Sequence, residues 1–147
     1  MSKQFNDLII NSKGIIDSNI IQQATDINFE IQKIGIEIDK TPTNKIFSQK
    51  ISQNISRLVQ SFEIQQAEAI LELFDNIEKF ELSVDIAEAQ NIYFTKIFHQ
   101  FDEIIENINK SSSESDKSFI ACLLEIGKRL NINVDFYQIM LDKALVN

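Results

Sequence analysis

The chain offers little to chemistry beyond one histidine, one cysteine and 22 carboxylates. His99 stands in Phe98-His99-Gln100-Phe101-Asp102-Glu103 and shares a helix face with Glu103, four residues on. One imidazole and one carboxylate are too few for a zinc site. The paired Glu-x-x-His motifs of di-metal bundles are missing. His99 therefore reads as a surface histidine among acids. Cys122 lies in the apolar run Phe119-Ile120-Ala121-Cys122-Leu123-Leu124, without a neighbouring base or cation, and reads as a small buried hydrophobe. Glu63, Glu68, Glu72, Glu78 and Glu81 fall on or beside one helix, which describes a solvated face better than an acid/base pair. No glycine-rich phosphate loop, Cys-x-x-Cys, nucleophile elbow or calcium loop is present. The expectation is a non-catalytic chain with no cofactor and no metal ligands.

The elements that carry these residues are helical. Only 3 Gly and 1 Pro occur in 147 residues, too few for the tight turns of an all-β chain. Apolar residues recur at helical spacing. Ile20, Ala24, Ile27, Ile31 and Ile34 form one stripe; Phe47, Ile51, Ile55, Leu58 and Phe62 a second; Ala67, Ile70, Phe74 and Ile77 a third. A helix from Ile86 to Asn109 carries two stripes at once. One is Ile86, Ala89, Tyr93, Ile97, Ile104 and Ile108; the other is Phe94, Phe98, Phe101 and Ile105. A helix apolar on most of its circumference is central, or keeps one stripe for a partner. Shorter helices are expected over Gln4 to Ile10, Lys117 to Leu130 and Phe136 to Leu145, with breaks at Ser12-Lys13-Gly14 and Ser111-Ser112-Ser113-Glu114-Ser115. Isoleucine is only a middling helix former, so packing must hold these helices.

One pattern occurs three times. It reads Ile31-Gln32-Lys33-Ile34-Gly35-Ile36-Glu37-Ile38-Asp39, then Ile77-Glu78-Lys79-Phe80-Glu81-Leu82-Ser83-Val84-Asp85, then Gly127-Lys128-Arg129-Leu130-Asn131-Ile132-Asn133-Val134-Asp135. A basic residue suits the negative end of a helix. An extended step then buries alternate side chains, and the Asp is placed to cap the next helix. Glu88 and Gln138, three residues after Asp85 and Asp135, complete a capping-box-like pattern. In the first copy Thr41-Pro42 is the better helix start. Alternation also suits a strand, but each tract is too short for an independent sheet. The expected fold is all-α, a compact helical bundle or a short stack of helical hairpins. It has about six to seven helices joined by short extended linkers, within a single helical domain, residues 1–147.

Net charge is −8, with no cluster of Lys and Arg. Phosphate recognition needs such a cluster, so neither direct nucleic-acid binding nor an anionic membrane surface is expected. An acidic surface suits a basic protein partner. No signal peptide or membrane-length apolar run is visible, and a cytoplasmic location is expected.

The most distinctive segment is Asp85-Ile86-Ala87-Glu88-Ala89-Gln90-Asn91-Ile92-Tyr93-Phe94. If buried, Gln90 and Asn91 need amide partners, for which the adjacent linker backbone is suited. If exposed, Gln90 and Tyr93 with the stripe Phe94, Phe98, Phe101 and Ile105 form a candidate recognition patch, because aromatics dominate binding hot spots. Here Leu82, Val84, Asp85, Glu88, Ala89, Gln90, Asn91 and Tyr93 resemble the helical region that follows the catalytic domain in glycoside-hydrolase family 57-like proteins of the α-amylase/α-mannosidase type. The resemblance covers about the last half of the chain. It implies an accessory helical region and carries over no catalytic carboxylate. Three functions are thus expected: a non-catalytic protein-interaction or accessory module, an accessory region of a larger glycosidase-like enzyme, or an acidic inhibitor or immunity-type protein that blocks a basic partner.

Overall fold

The computed structural model describes residues 2–13, 15–35, 37–111 and 114–146. Gly14, Ile36, Ser112 and Ser113, and the side chain of Ile108, on which sequence expectations fall, lie outside the described residues. The chain is all-α. Its helices are α1 (Ser2–Asn11), α2 (Ser18–Ile34), α3 (Thr41–Ser61), α4 (Ile64–Lys79), α5 (Ala87–Lys96), α6 (Phe101–Ser111), α7 (Glu114–Arg129) and α8 (Asp135–Val146), with a 3-10 turn at Phe98–Gln100. No strand occurs among the described residues.

The chain packs as two compact units. The first comprises Met1–Lys50 and Asp75–Asp85, the second Ile51–Phe74 and Ile86–Asn147. The boundary falls inside α3 and inside α4.

In the first unit α1 packs against α2. The stripe on α2 buries Ala24 and Ile31 but leaves Ile34 exposed. Phe5 meets Phe80 edge to face at 5.5 Å, and both rings are fully buried. Lys40 sits beside them. Its ammonium donates to the Phe80 carbonyl (2.5 Å) and to Asn28 Oδ1 (3.1 Å), and lies 5.0 Å from the Phe5 ring centre. A cation here answers the negative end of α4 and gains from the ring quadrupole. Burial pushes the Lys40 pKa down, and Glu81 works in the opposite direction.

The three repeated tracts end their helices in one way. Gly35, Glu81 and Asn131 occupy the same place in the repeat, and all three are left-handed, with φ of 76°, 53° and 59°. In the second copy the Glu81 N–H donates to Glu78 O and the Leu82 N–H to Ile77 O. The third copy repeats this with Asn131 to Lys128 and Ile132 to Gly127. The left-handed residue turns the chain back so that its amides satisfy carbonyls the helix leaves open. In the first copy the Gly35 N–H reaches Ile31 O and Gln32 O.

The helix start of the first copy agrees with the sequence expectation, and that of the third differs from it. Asp39 accepts from the Thr41 N–H at 2.9 Å and from the Thr41 hydroxyl, which hold its carboxyl below the usual range. The next helix opens at Thr41, with Pro42 second. In the third copy Asn133 takes that role, accepting from the Asp135 N–H two residues on at 3.0 Å. Asp135 is therefore inside the first turn of α8, where its charge suits the helix dipole, and does not cap it. Its linker is shorter by two residues. The expected capping box also does not form there, since the Gln138 amide donates to Asp142 Oδ1. In the second copy the N-cap position belongs to Ile86, whose side chain makes no capping bond.

The first two extended linkers are held by polar side chains of a helix earlier in the chain. Ser2 and Asn6 on α1, four apart, bond the Asp39 N–H and the Asp39 carbonyl. Asn6 Oδ1 also accepts from the buried Thr43 hydroxyl at 2.7 Å. Asn44 and Ser48 on α3, again four apart, accept from the Ser83 and Asp85 N–H groups at 3.0 and 2.9 Å. Residues four apart share a helix face, so one face serves alternate linker amides. Among the described residues no buried side-chain N or O lacks a partner.

Candidate functional site

The second unit contains the segment singled out by sequence. Instead of one helix from Ile86 to Asn109, the chain breaks between α5 and α6. Ile97 stays in the right-handed helical region but with a stretched φ of −111°, ψ −53°. The Gln100 N–H then turns to Ile97 O, and the Phe101 N–H to Phe98 O. This deprives the Lys96 carbonyl of its helical donor, and the Gln100 side-chain amide supplies one at 2.5 Å. No Gly or Pro marks the break. Two β-branched residues, Thr95 and Ile97, and a run of aromatics lower helix propensity through it.

The break divides the second stripe. On a continuous helix Phe94, Phe98, Phe101 and Ile105 share a face. Here Phe101 and Ile105 are buried, Phe98 is half-buried and Phe94 is 46% exposed. Of the other sequence candidates, Tyr93 is fully buried and donates its hydroxyl to Leu123 O at 2.6 Å. Burial pushes the Tyr93 phenol above its ordinary range. Gln90 is half-buried, and its amide donates to Leu130 O, at the end of α7, at 2.6 Å. The partner of Gln90 is thus the backbone at the end of α7 and not the linker adjacent to it, while Asn91 is exposed. Gln90 also stands five residues after Asp85, as Asn44 stands five after Asp39. Both therefore bond backbone at or after the next repeated helix end. Gln90, Tyr93, Phe101 and Ile105 hold the unit together, and a surface role is left to Phe94 and Phe98.

Residues that sequence reasoning missed complete that surface. α8 brings Tyr137 to 5.4 Å from Phe98 and 5.0 Å from Phe101. The rings form a continuous row: His99 to Phe94 at 5.0 Å, Phe94 to Phe98 at 5.2 Å and nearly parallel, Phe98 to Tyr137, and Tyr137 to Phe136 at 5.3 Å. Phe136 is 67% exposed and His99 is exposed; Ile139, one turn along α8, is 55% exposed. Tyr137 is only partly buried, and Asp102 directly follows Phe101, whose ring faces that of Tyr137. Partial burial, then the charge of the Asp102 carboxylate, push the Tyr137 phenol pKa up. Phe136-Tyr137 directly follows the third linker, and that adjacency is the only sequence signal for it.

Burial raises the Cys122 thiol pKa, and Glu68 adds to the rise, which keeps the sulfur protonated and a poor nucleophile. Among the described residues no group of three or more His, Cys, Asp or Glu side chains is arranged to hold a metal ion, and no helix is long and apolar enough to cross a membrane. No protein-family model, curated protein or solved structure matches the chain.

Proposed function

We propose that the chain is a non-catalytic helical protein-interaction module whose contact surface is the aromatic row Phe94, Phe98, His99, Tyr137 and Phe136. The observation that carries this reading is the exposure of Phe94 and Phe136 within a continuous ring-to-ring row. Scattered exposed apolar residues are ordinary on proteins, whereas contiguous apolar surface marks an interaction site. Aromatic rings supply large contact area for few torsions to be fixed. Phe101 backs the row from the core, so the rings are held in place before any partner arrives.

The test is photo-crosslinking in the native cell, with a photoreactive amino acid replacing Phe94 or Phe136 in turn. Discrete protein adducts from both positions are expected. Adducts arising only from a probe at Phe29, an exposed ring on α2, would move the interaction surface elsewhere and refute the assignment.

A further inference from the structure

We infer that the occupant of this surface is an arginine-bearing segment of another protein, its guanidinium groups laid against the rings and paired with the Asp102 and Asp135 carboxylates. The inference rests on the interaction reading and adds the partner's chemistry. Asp102 directly follows Phe101, whose ring lies 5.0 Å from that of Tyr137, and Asp135 directly precedes Phe136, so carboxylates accompany both α8 rings of the row. Across α5, α6 and α8 the carboxylates are Glu88, Asp102, Glu103, Glu106, Asp135 and Asp142, against Lys96, Lys110 and Lys143. Lys110 is already paired with Glu106. Among the described residues no Lys or Arg forms an ion pair with Asp102, Glu103 or Asp135.

Exposed rings beside unneutralised carboxylates favour a cation with an apolar, flat surface. Arginine has that form: its guanidinium stacks on aromatic faces and pairs with carboxylate bidentately, while being more weakly hydrated than an ammonium. A second copy of this chain is a poorer occupant. Each copy brings a net charge of −8, and like charges would be forced together. The same repulsion disfavours nucleic acid and anionic lipid.

The experiment is a backbone-amide NMR titration of the full chain with two synthetic amphipathic peptides. They share one leucine pattern and carry arginine or glutamine at the polar positions. The arginine peptide is expected to shift the signals of Phe94, His99, Phe136 and Tyr137, with an affinity that falls as salt is added. Replacing Phe94 and Phe136 by Ala, or Asp102 and Asp135 by Asn, is expected to weaken it about tenfold. Glu30→Gln with Glu37→Gln removes the same charge from exposed positions elsewhere and is expected to leave binding unchanged. Equal affinity for the glutamine peptide overturns the cationic occupant while leaving the aromatic surface standing. Equal weakening by the Glu30 and Glu37 pair reduces the effect to diffuse charge and also overturns it. No shift at the row with the arginine peptide, or self-association of the chain through the row, overturns it as well. Loss of crosslinking at Phe94 and Phe136 would instead remove the interaction reading beneath it.

Discussion

The Tyr93 hydroxyl oxygen lies 2.6 Å from where a Cβ on Gly127 would stand, and the phenol can reach Leu123 O, one turn earlier on α7, because Gly127 has none. Val134 closes the other side, with Cγ1 2.8 Å from the same point. Alanine is the better helix former by about 1 kcal/mol, but its methyl would overlap two buried side chains. Gly127→Ala is expected to lower stability by about 1–3 kcal/mol. Tyr93→Phe should cost about 1 kcal/mol through the lost hydrogen bond. Combined, the two should cost less than their sum, since Phe removes the oxygen that meets the new methyl. Urea denaturation of the four proteins measures this coupling, and strict additivity would contradict the geometry.

The linker bonds predict two separable effects. Asn44→Ala and Gln90→Ala should each destabilise by about 1 kcal/mol. Only Asn44→Ala should speed hydrogen exchange at the Ser83 amide, because Asn44 accepts from that N–H, whereas Gln90 donates to a carbonyl.

The aligned left-handed positions give a third prediction, of opposite signs at equivalent sites. Glu81→Gly removes a side chain from a conformation that costs L residues roughly 1 kcal/mol, and should raise the thermal midpoint. Gly35→Ala imposes that cost and should lower it. No atom lies within 4 Å of a Cβ built at Gly35, so the loss would come from the backbone alone.

Alkaline stability should carry the signature of Tyr93. Burial raises its pKa, so the folded chain keeps a proton that the unfolded chain loses near pH 10. That contribution is complete below about pH 10 and declines as pH rises further. Lys40 runs the other way. Burial lowers its pKa, so stability gains as pH rises through its folded value towards that of the unfolded chain. Urea midpoints followed from about pH 8 to about pH 11 should fall less steeply in Tyr93→Phe than in the parent chain.

The sequence made some of this readable and hid the rest for identifiable reasons. In the second stripe Phe47, Ile51, Ile55 and Leu58 are buried as spacing demands, whereas Phe62 lies beyond the end of α3, left-handed at φ 51° and half-buried. Gly35 and Asn131 are residue types that favour left-handed geometry, whereas Glu81 is found only by its place in the repeat. The break at Ile97 carries no Gly or Pro, and the repair by the Gln100 amide is a tertiary-independent detail that periodicity does not encode. Asp135 looked equivalent to Asp39, but Asn133, two residues earlier, had the same bonding capacity and took the position. The aromatic row needed α8 beside the turn after α5, a long-range pairing that no local pattern specifies.

The linker bonds have a consequence for how the chain behaves in a crowded solution. Phe80-Glu81-Leu82-Ser83-Val84 alternates as an edge strand does, and an edge strand with free amides invites another chain to pair with it. Asn44 and Ser48 occupy the Ser83 and Asp85 N–H groups, as Ser2 and Asn6 occupy both backbone groups of Asp39. Backbone groups that a second chain would need for edge pairing are thereby already occupied, and four small polar side chains guard them.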